Sequence, residues 1–185
     1  VFITKELLTC HVISKLGEES WDNWDDVIDI YNFNFKGYVC NTLMYDPKKK
    51  FDAVIGNPPY QERNKNGKAK HGKSNLWTKF IDYSFDYLKP NGYLLFITPT
   101  SWMCGTVTCW SKMISNQVHY LNINECKRHF PGVGSTFSYY LIEHCDIYKD
   151  TDVVCKYKKK LYKSTIRLSK DIQIIPQLLT KESIS

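Results

Sequence analysis

The apolar run Ala53-Val54-Ile55 stops abruptly at Gly56-Asn57-Pro58-Pro59, and no other stretch constrains the fold of this chain as tightly. The segment 51–56 reads as a strand buried on both faces, as in a parallel sheet. Two consecutive prolines cannot continue a ladder, because each lacks an N–H donor and has a fixed φ. The chain must therefore leave the sheet at that point. Residues Asn57 to Tyr60 then sit at the carboxyl end of a strand, where open α/β sheets bind their ligands.

Residues 57–98 complete a strand, loop, helix, strand unit. Residues 61–75 are polar, with Gly67 and Gly72 among lysines, and read as a loop beside that corner. Trp77, Phe80, Ile81, Ser84, Phe85 and Leu88 recur at helical spacing. Ser74 or Asn75 is placed to cap the start, and Pro90-Asn91-Gly92 to close the end. Tyr93 to Thr98 then reads as a second buried strand, giving a right-handed crossover and an α/β fold class. Further strands are expected at 118–123, 136–143 and 153–157, with a helix over 109–115. Upstream, the pattern predicts helices over 2–16 and 21–30, a short strand over 37–43, and a turn at Asp46-Pro47.

A chain of 185 residues, 43% hydrophobic, is long enough for one globular core and at most the beginning of another. The apolar stretch Tyr93 to Ile97 is far too short to span a membrane, and no basic segment followed by an apolar one opens the sequence. The seven cysteines form no C-x-x-C pair and leave an odd count. That suits reduced thiols in a cytoplasmic compartment and argues against a metal site. The formal charge of +6 favours an anionic partner without specifying one. Its distribution says more: Arg63, Lys65, Lys68, Lys70, Lys73 and Lys79 come after the proline corner, and Lys156, Lys158, Lys159, Lys160 and Lys163 gather near the end. Both clusters can track phosphates, and the second reads equally well as solvated loop and strand faces.

The stretch Phe51-Asp52-Ala53-Val54-Ile55-Gly56-Asn57-Pro58-Pro59-Tyr60-Gln61 resembles the fourth motif of the amino-methyltransferases, specifically the DNA adenine N6-methyltransferases of restriction-modification systems. The resemblance unites a tetrapeptide, a strand before it and a basic loop after it, whereas an isolated Asn-Pro-Pro-Tyr is more often a proline-rich loop or a WW-domain ligand. It implies a Rossmann-like class I methyltransferase sheet with helices on both faces, S-adenosylmethionine as methyl donor, and double-stranded DNA as partner. The exocyclic amine of adenine is a poor nucleophile because its lone pair is delocalised into the ring. By the resemblance, the Asn57 side-chain oxygen and the Pro58 carbonyl accept its two hydrogens, with Pro59 stiffening the corner. Tyr60 stacks on an adenine extruded from the duplex; its bland reading is a hydrophobic plug under the loop. No general base is required.

Phe130-Pro131-Gly132-Val133-Gly134-Ser135-Thr136-Phe137-Ser138-Tyr139-Tyr140 resembles a later region of the same enzymes. There an aromatic helps to hold the extruded base, and Phe130 matches it, with a core role at a strand entry as the alternative. Lys65, Lys68 and Lys73 are the expected phosphate contacts of the loop. Asn41-Thr42-Leu43 falls where the family presents an acid to the adenine of the donor. Asn41 and Leu43 are the cofactor-binding candidates, with Asn in place of the acid.

The resemblance also has gaps. The glycine-rich turn that cradles the donor has no counterpart before Asn57, where the only glycines are Gly17, Gly37 and Gly56. The sequence reading is a sheet incomplete at its N-terminal side: 1–148 as a partial catalytic domain, and 149–185 as its end with the start of a target-recognition region. Such a fragment is expected to bind donor poorly and to associate. Further chain segments completing the donor site, or a cognate restriction endonuclease, are the partners implied. Two other readings stand beside this one: a non-catalytic nucleic-acid-binding remnant or partner subunit, and a protein glutamine N5-methyltransferase. The latter usually has an aliphatic residue where this chain has Gln61, and an acid-rich loop where this one is basic. RNA adenine is a further substrate that the basic clusters do not distinguish.

Overall fold

A computed structural model describes residues 41–61, 75–130 and 134–176. The chain divides into two compact units, Val1–Tyr45 and Asp46–Ser185. The expected helices over 2–16 and 21–30 lie outside the described residues, as does most of the strand expected over 37–43. The described part of that stretch is not extended. Thr42–Met44 forms a 3₁₀ turn, with the Asn41 side chain accepting from the Leu43 N–H at 3.3 Å. A local Asx bond satisfies the backbone there in place of a ladder.

In the second unit, β1 (Phe51–Gly56) is followed by α1 (Leu76–Tyr87) and β2 (Leu88–Pro99), and β1 and β2 pair in parallel. The chain continues through α2 (Trp110–Ile114), β3 (Gln117–Asn122), β4 (Phe137–Glu143), β5 (Thr151–Tyr157) and β6 (Lys160–Ile166). The sheet order is β1-β2-β4-β3-β5-β6, with β4 antiparallel between β2 and β3. β3 and β5 are parallel, and β5 and β6 form a hairpin. β6 leaves no strand signal in the sequence because its residues are almost all exposed, so an edge strand looks like a charged loop.

α1 forms as its spacing predicts: Trp77, Ile81, Ser84 and Phe85 are buried on the stripe that faces the sheet. Asn75 occupies the cap position but makes no side-chain cap bond; instead its carbonyl accepts from the Thr78 hydroxyl at 2.8 Å. The expected turn at Pro90-Asn91-Gly92 is absorbed into β2. Leu88 opposes Phe51 and Tyr93 opposes Ala53, so three extra residues bulge out of β2. Asn91 takes φ 62. A Cβ on Gly92 would stand 3.0 Å from the Lys89 carbonyl oxygen and 3.1 Å from that of Asp52, so a side chain there would press on the backbone of the bulge.

Both described helices contribute to the core that covers Leu94 and Phe96 of β2, Val118 and Leu121 of β3, and Tyr140 and Ile142 of β4. The buried Trp102 indole N–H donates to the Ser138 hydroxyl at 2.9 Å, satisfying both polar groups. The reading of β1 as buried on both faces does not hold. Ala53 is exposed and Ile55 is 67% exposed, and on β2 the neighbouring Tyr93 and Leu95 are exposed as well. These residues share a face because alternate side chains of a strand point the same way. Among the described residues, only the opposite face of these two strands carries the core.

Candidate active site

The proline corner lies at the carboxyl end of β1, as the two prolines require. Asn57 and Pro59 are exposed, Pro58 is buried and Tyr60 is half-buried. The Tyr60 hydroxyl donates to the Asn57 Oδ1 at 2.6 Å. The chain then holds itself beside this pair: the Leu76 N–H donates to the Tyr60 carbonyl at 3.2 Å, and Gln61 and Asn75 form an antiparallel bridge. The two ends of the basic loop are thereby clamped next to the corner. Lys65, Lys68 and Lys73 themselves lie outside the described residues. Gly56 fits the close packing before the corner, where a Cβ would stand 3.3 Å from the Phe96 ring.

Three aromatic rings stand in series behind Asn57. The Tyr60 and Phe137 ring centroids are 5.0 Å apart at 31°, and those of Phe137 and Phe130 are 4.6 Å apart at 36°. Phe137 is buried while Tyr60 and Phe130 are half-buried, so the core ring braces two partly accessible ones. Sequence reasoning singles out Tyr60 and Phe130 but gives no role to Phe137, which it places in the same resembling stretch and at the start of a strand. Its register gives the reason for its place: Phe137 opens β4 opposite Pro99, the last residue of β2. That pairing brings the start of β4 to the same rim as the end of β1.

The rim is also a region of suppressed ionisation. Burial, with the Cys126 thiol nearby, pushes the Tyr60 phenol up to about 12 against the opposing hydrogen bond to Asn57. Burial and the Tyr120 hydroxyl push Tyr139 up to about 12 as well, and burial raises the Cys126 thiol, whose Sγ is 3.2 Å from the Phe137 carbonyl oxygen. Near neutral pH Tyr60 is a neutral donor, and Asn57 presents a neutral amide oxygen. Such an arrangement can accept and orient a polar N–H group; it holds no anionic base or nucleophile among these residues. No group of three or more metal-ligating side chains occurs among the described residues. The five described cysteines are unpaired, and no described helix is long and apolar enough to cross a membrane.

Asn41 is exposed and Leu43 half-buried. The Asn41 oxygen already serves the Leu43 N–H, so what this turn offers an adenine edge is the amide nitrogen of Asn41.

Residues 3–130 match the family model described as Eco57I restriction-modification methylase. The chain is 31% identical over 86 residues to the Type II methyltransferase M.TthHB8I of Thermus thermophilus, covering 37% of this chain and 20% of that protein. It is 43% identical over 54 residues to an uncharacterized adenine-specific methylase of Mycoplasma pneumoniae, covering 29% of this chain and 12% of that one. A solved structure of a type I restriction-modification system superposes with a TM-score of 0.51 at 14% identity, over 65% of this chain and 27% of that one. At that identity the likeness is one of fold, a mixed α/β sheet.

Proposed function

The chain belongs to the Eco57I restriction-modification methylase family, and on that premise we propose that it carries the base pocket of a DNA adenine N6-methyltransferase. The observation that supports this reading best is the exposed Asn57 amide oxygen, held at a strand end with the Tyr60 hydroxyl on it at 2.6 Å. An amide oxygen that accepts one O–H bond at rest can accept an N–H bond from a target amine when Tyr60 moves aside. The Pro58 carbonyl supplies the second acceptor. With both N–H bonds engaged, the amine nitrogen is drawn toward a tetrahedral geometry and its lone pair is freed from the ring. The two prolines hold those acceptors in place before the base arrives, which is where preorganisation lowers a barrier.

Tyr60 and Phe130, braced by Phe137, supply flat surfaces for a base turned out of the helix. A double-stranded DNA substrate accords with the basic loop whose ends are clamped beside the corner, where Lys65, Lys68 and Lys73 would meet phosphates. S-adenosylmethionine, the proposed donor, supplies an electrophilic methyl group on a cationic sulfur. Asn41 fits its adenine through the exposed amide, and Leu43 would line the same edge. The product amine sheds its proton to solvent, in keeping with the lack of an anionic base beside Asn57 among the described residues.

The test is donor-dependent methyl incorporation into mixed-sequence duplex DNA. Asn57→Ala should lower the rate by roughly 100- to 1,000-fold, the usual cost of removing one preorganised polar group from a transition state. Tyr60→Ala should lower it as well by removing a stacking face, whereas Tyr60→Phe should stay within about tenfold, since its ring remains. Full activity in both alanine variants would rule out this assignment.

A further inference from the structure

We propose that the β5–β6 hairpin tip, together with the turn that leads to Phe130, forms a phosphate track that holds duplex DNA on the side of the base pocket away from Gln61 and Asn75. The proposal rests on the DNA reading above and adds a surface to it. The topology carries it. β5 is parallel to β3, and β3 is antiparallel to β4 with Asn122 opposite Tyr139. The end of β5 therefore lies on the same rim as Phe137, Pro99 and the proline corner. Between β1 and β5 lie four strand spacings at about 4.8 Å each, roughly 19 Å along the rim. That span is about half a turn of B-form DNA.

The hairpin also reaches beyond the sheet. Its last pairing with β3 is Asn122 opposite Val154, and it runs on for three residues to Tyr157, about 10 Å at strand rise. The Asn124 side chain braces this projection, accepting from the Lys156 N–H at 2.8 Å and donating to the Lys156 carbonyl at 3.0 Å. Asn124 starts the Glu125–His129 turn that ends at Phe130. One amide thus ties the hairpin to the segment bearing a wall of the pocket. That turn exposes Lys127 and Arg128, and the tip exposes Lys156, Lys158, Lys159 and Lys160.

The tip itself shows where conformational comfort has been given up for charge. Lys158 and Lys159 form a two-residue turn with φ 45 and 67. That geometry favours Asn-Gly or Gly-Gly, and lysine is strained in it. Two cations stand where an uncharged pair would fold with less strain, and Lys158 Nζ sits 5.2 Å from the Tyr157 ring centroid, which steadies it.

The experiment is the salt dependence of binding to a mixed-sequence DNA duplex of about three helical turns. Lys158→Asn with Lys159→Gly removes both charges and installs the favoured turn, so folding is preserved or improved, as thermal unfolding will report. Each lost phosphate contact reduces the slope of log affinity against log salt by about 0.9, hence about 1.8 for the pair. Between about 50 and 200 mM salt the variant should lose roughly 12-fold less affinity than the wild type. Lys158→Gln with Lys159→Gln should reproduce the change without altering backbone preference. Lys149→Ala, at the opposite end of β5, should leave the slope alone. An unchanged slope in both pairs, or an equal loss with Lys149→Ala, overturns the proposal, and so does a wild type that does not bind the duplex.

Methyl incorporation measured on the same samples separates the two readings. If Asn57→Ala abolishes transfer while the hairpin pairs bind like the wild type, the track falls and the pocket stands. If the hairpin pairs flatten the slope while Asn57→Ala transfers normally, the reverse holds.

Discussion

Asn57 and Tyr60 are set by different causes. Asn57 is where it is because the prolines after it cannot remain in a ladder, while the position of Tyr60 depends on the Phe137 ring 5.0 Å away. The tyrosine also reports on its partly buried phenol. Its ionisation is pushed up to about 12 chiefly by burial, and that of Tyr139 likewise. A phenol whose value is raised on folding favours the folded state fully below its unfolded value of about 10, and that contribution is lost as pH rises through the folded value. The unfolding midpoint should therefore be insensitive to these groups up to about pH 10 and fall between about 10 and 12. Tyr60→Phe should soften the fall, which a series of thermal melts would show. The sequence discloses Asn57, Pro58, Pro59 and Tyr60 because a short motif and a local steric rule coincide there. Phe137 stays hidden because its contact with Tyr60 is made across the sheet and leaves no local mark.

Among the elements, β1, α1 and β2 are readable because each has a clear period: a compact apolar run, a helical stripe, and a second apolar run. The bulge at Pro90-Asn91-Gly92 reads in sequence as a helix-ending turn. Local turn chemistry is the same in both cases; pairing decides between them, with the Asn91 N–H donating to the His144 carbonyl at 3.0 Å and the His144 N–H to the Gly92 carbonyl at 2.8 Å. β4 is anchored at both ends. At its start, Phe137→Ala should cost roughly 3–5 kcal/mol in denaturant unfolding, since a fully buried ring is removed. Phe137→Leu should unfold later than the alanine variant yet still impair transfer, because Tyr60 and Phe130 lose the ring between them. At its other end, Glu143 accepts from Tyr148 at 3.1 Å and lies 2.7 Å from His119 Nε2. The His119 hydrogen bond, more than that of Tyr148, holds the Glu143 carboxyl below its ordinary value of 4.5. A lowered carboxylate stabilises the fold above its unfolded value and ceases to do so as pH falls through the folded one. Glu143→Gln should therefore destabilise the protein at neutral pH and much less in acid below that range, as melts at the two pH values would show.

At the scale of the molecule, the fold gathers onto one rim what the sequence scatters over a hundred residues: the corner at the end of β1, Phe137 at the start of β4, Phe130 on the turn after β3, and the lysines of the β5–β6 tip. The order β1-β2-β4-β3-β5-β6 does this by placing one antiparallel strand between two that run with β1. That order is not legible in the sequence, because apolar periodicity names strands without naming their neighbours. The exposure of Ile55 and Leu95 escapes prediction for a related reason, since a continuous apolar run does not say which of its faces is covered.

Whether Asn57 presents its amide oxygen to the amine of an extruded adenine is decided by nucleoside analysis of DNA after reaction with labelled donor. The wild type should yield N6-methyladenine, and Asn57→Ala should lose 100-fold or more of it, about the cost of one preorganised acceptor. Label recovered in cytosine or in protein glutamine instead, or N6-methyladenine formed equally well by Asn57→Ala, would contradict that role.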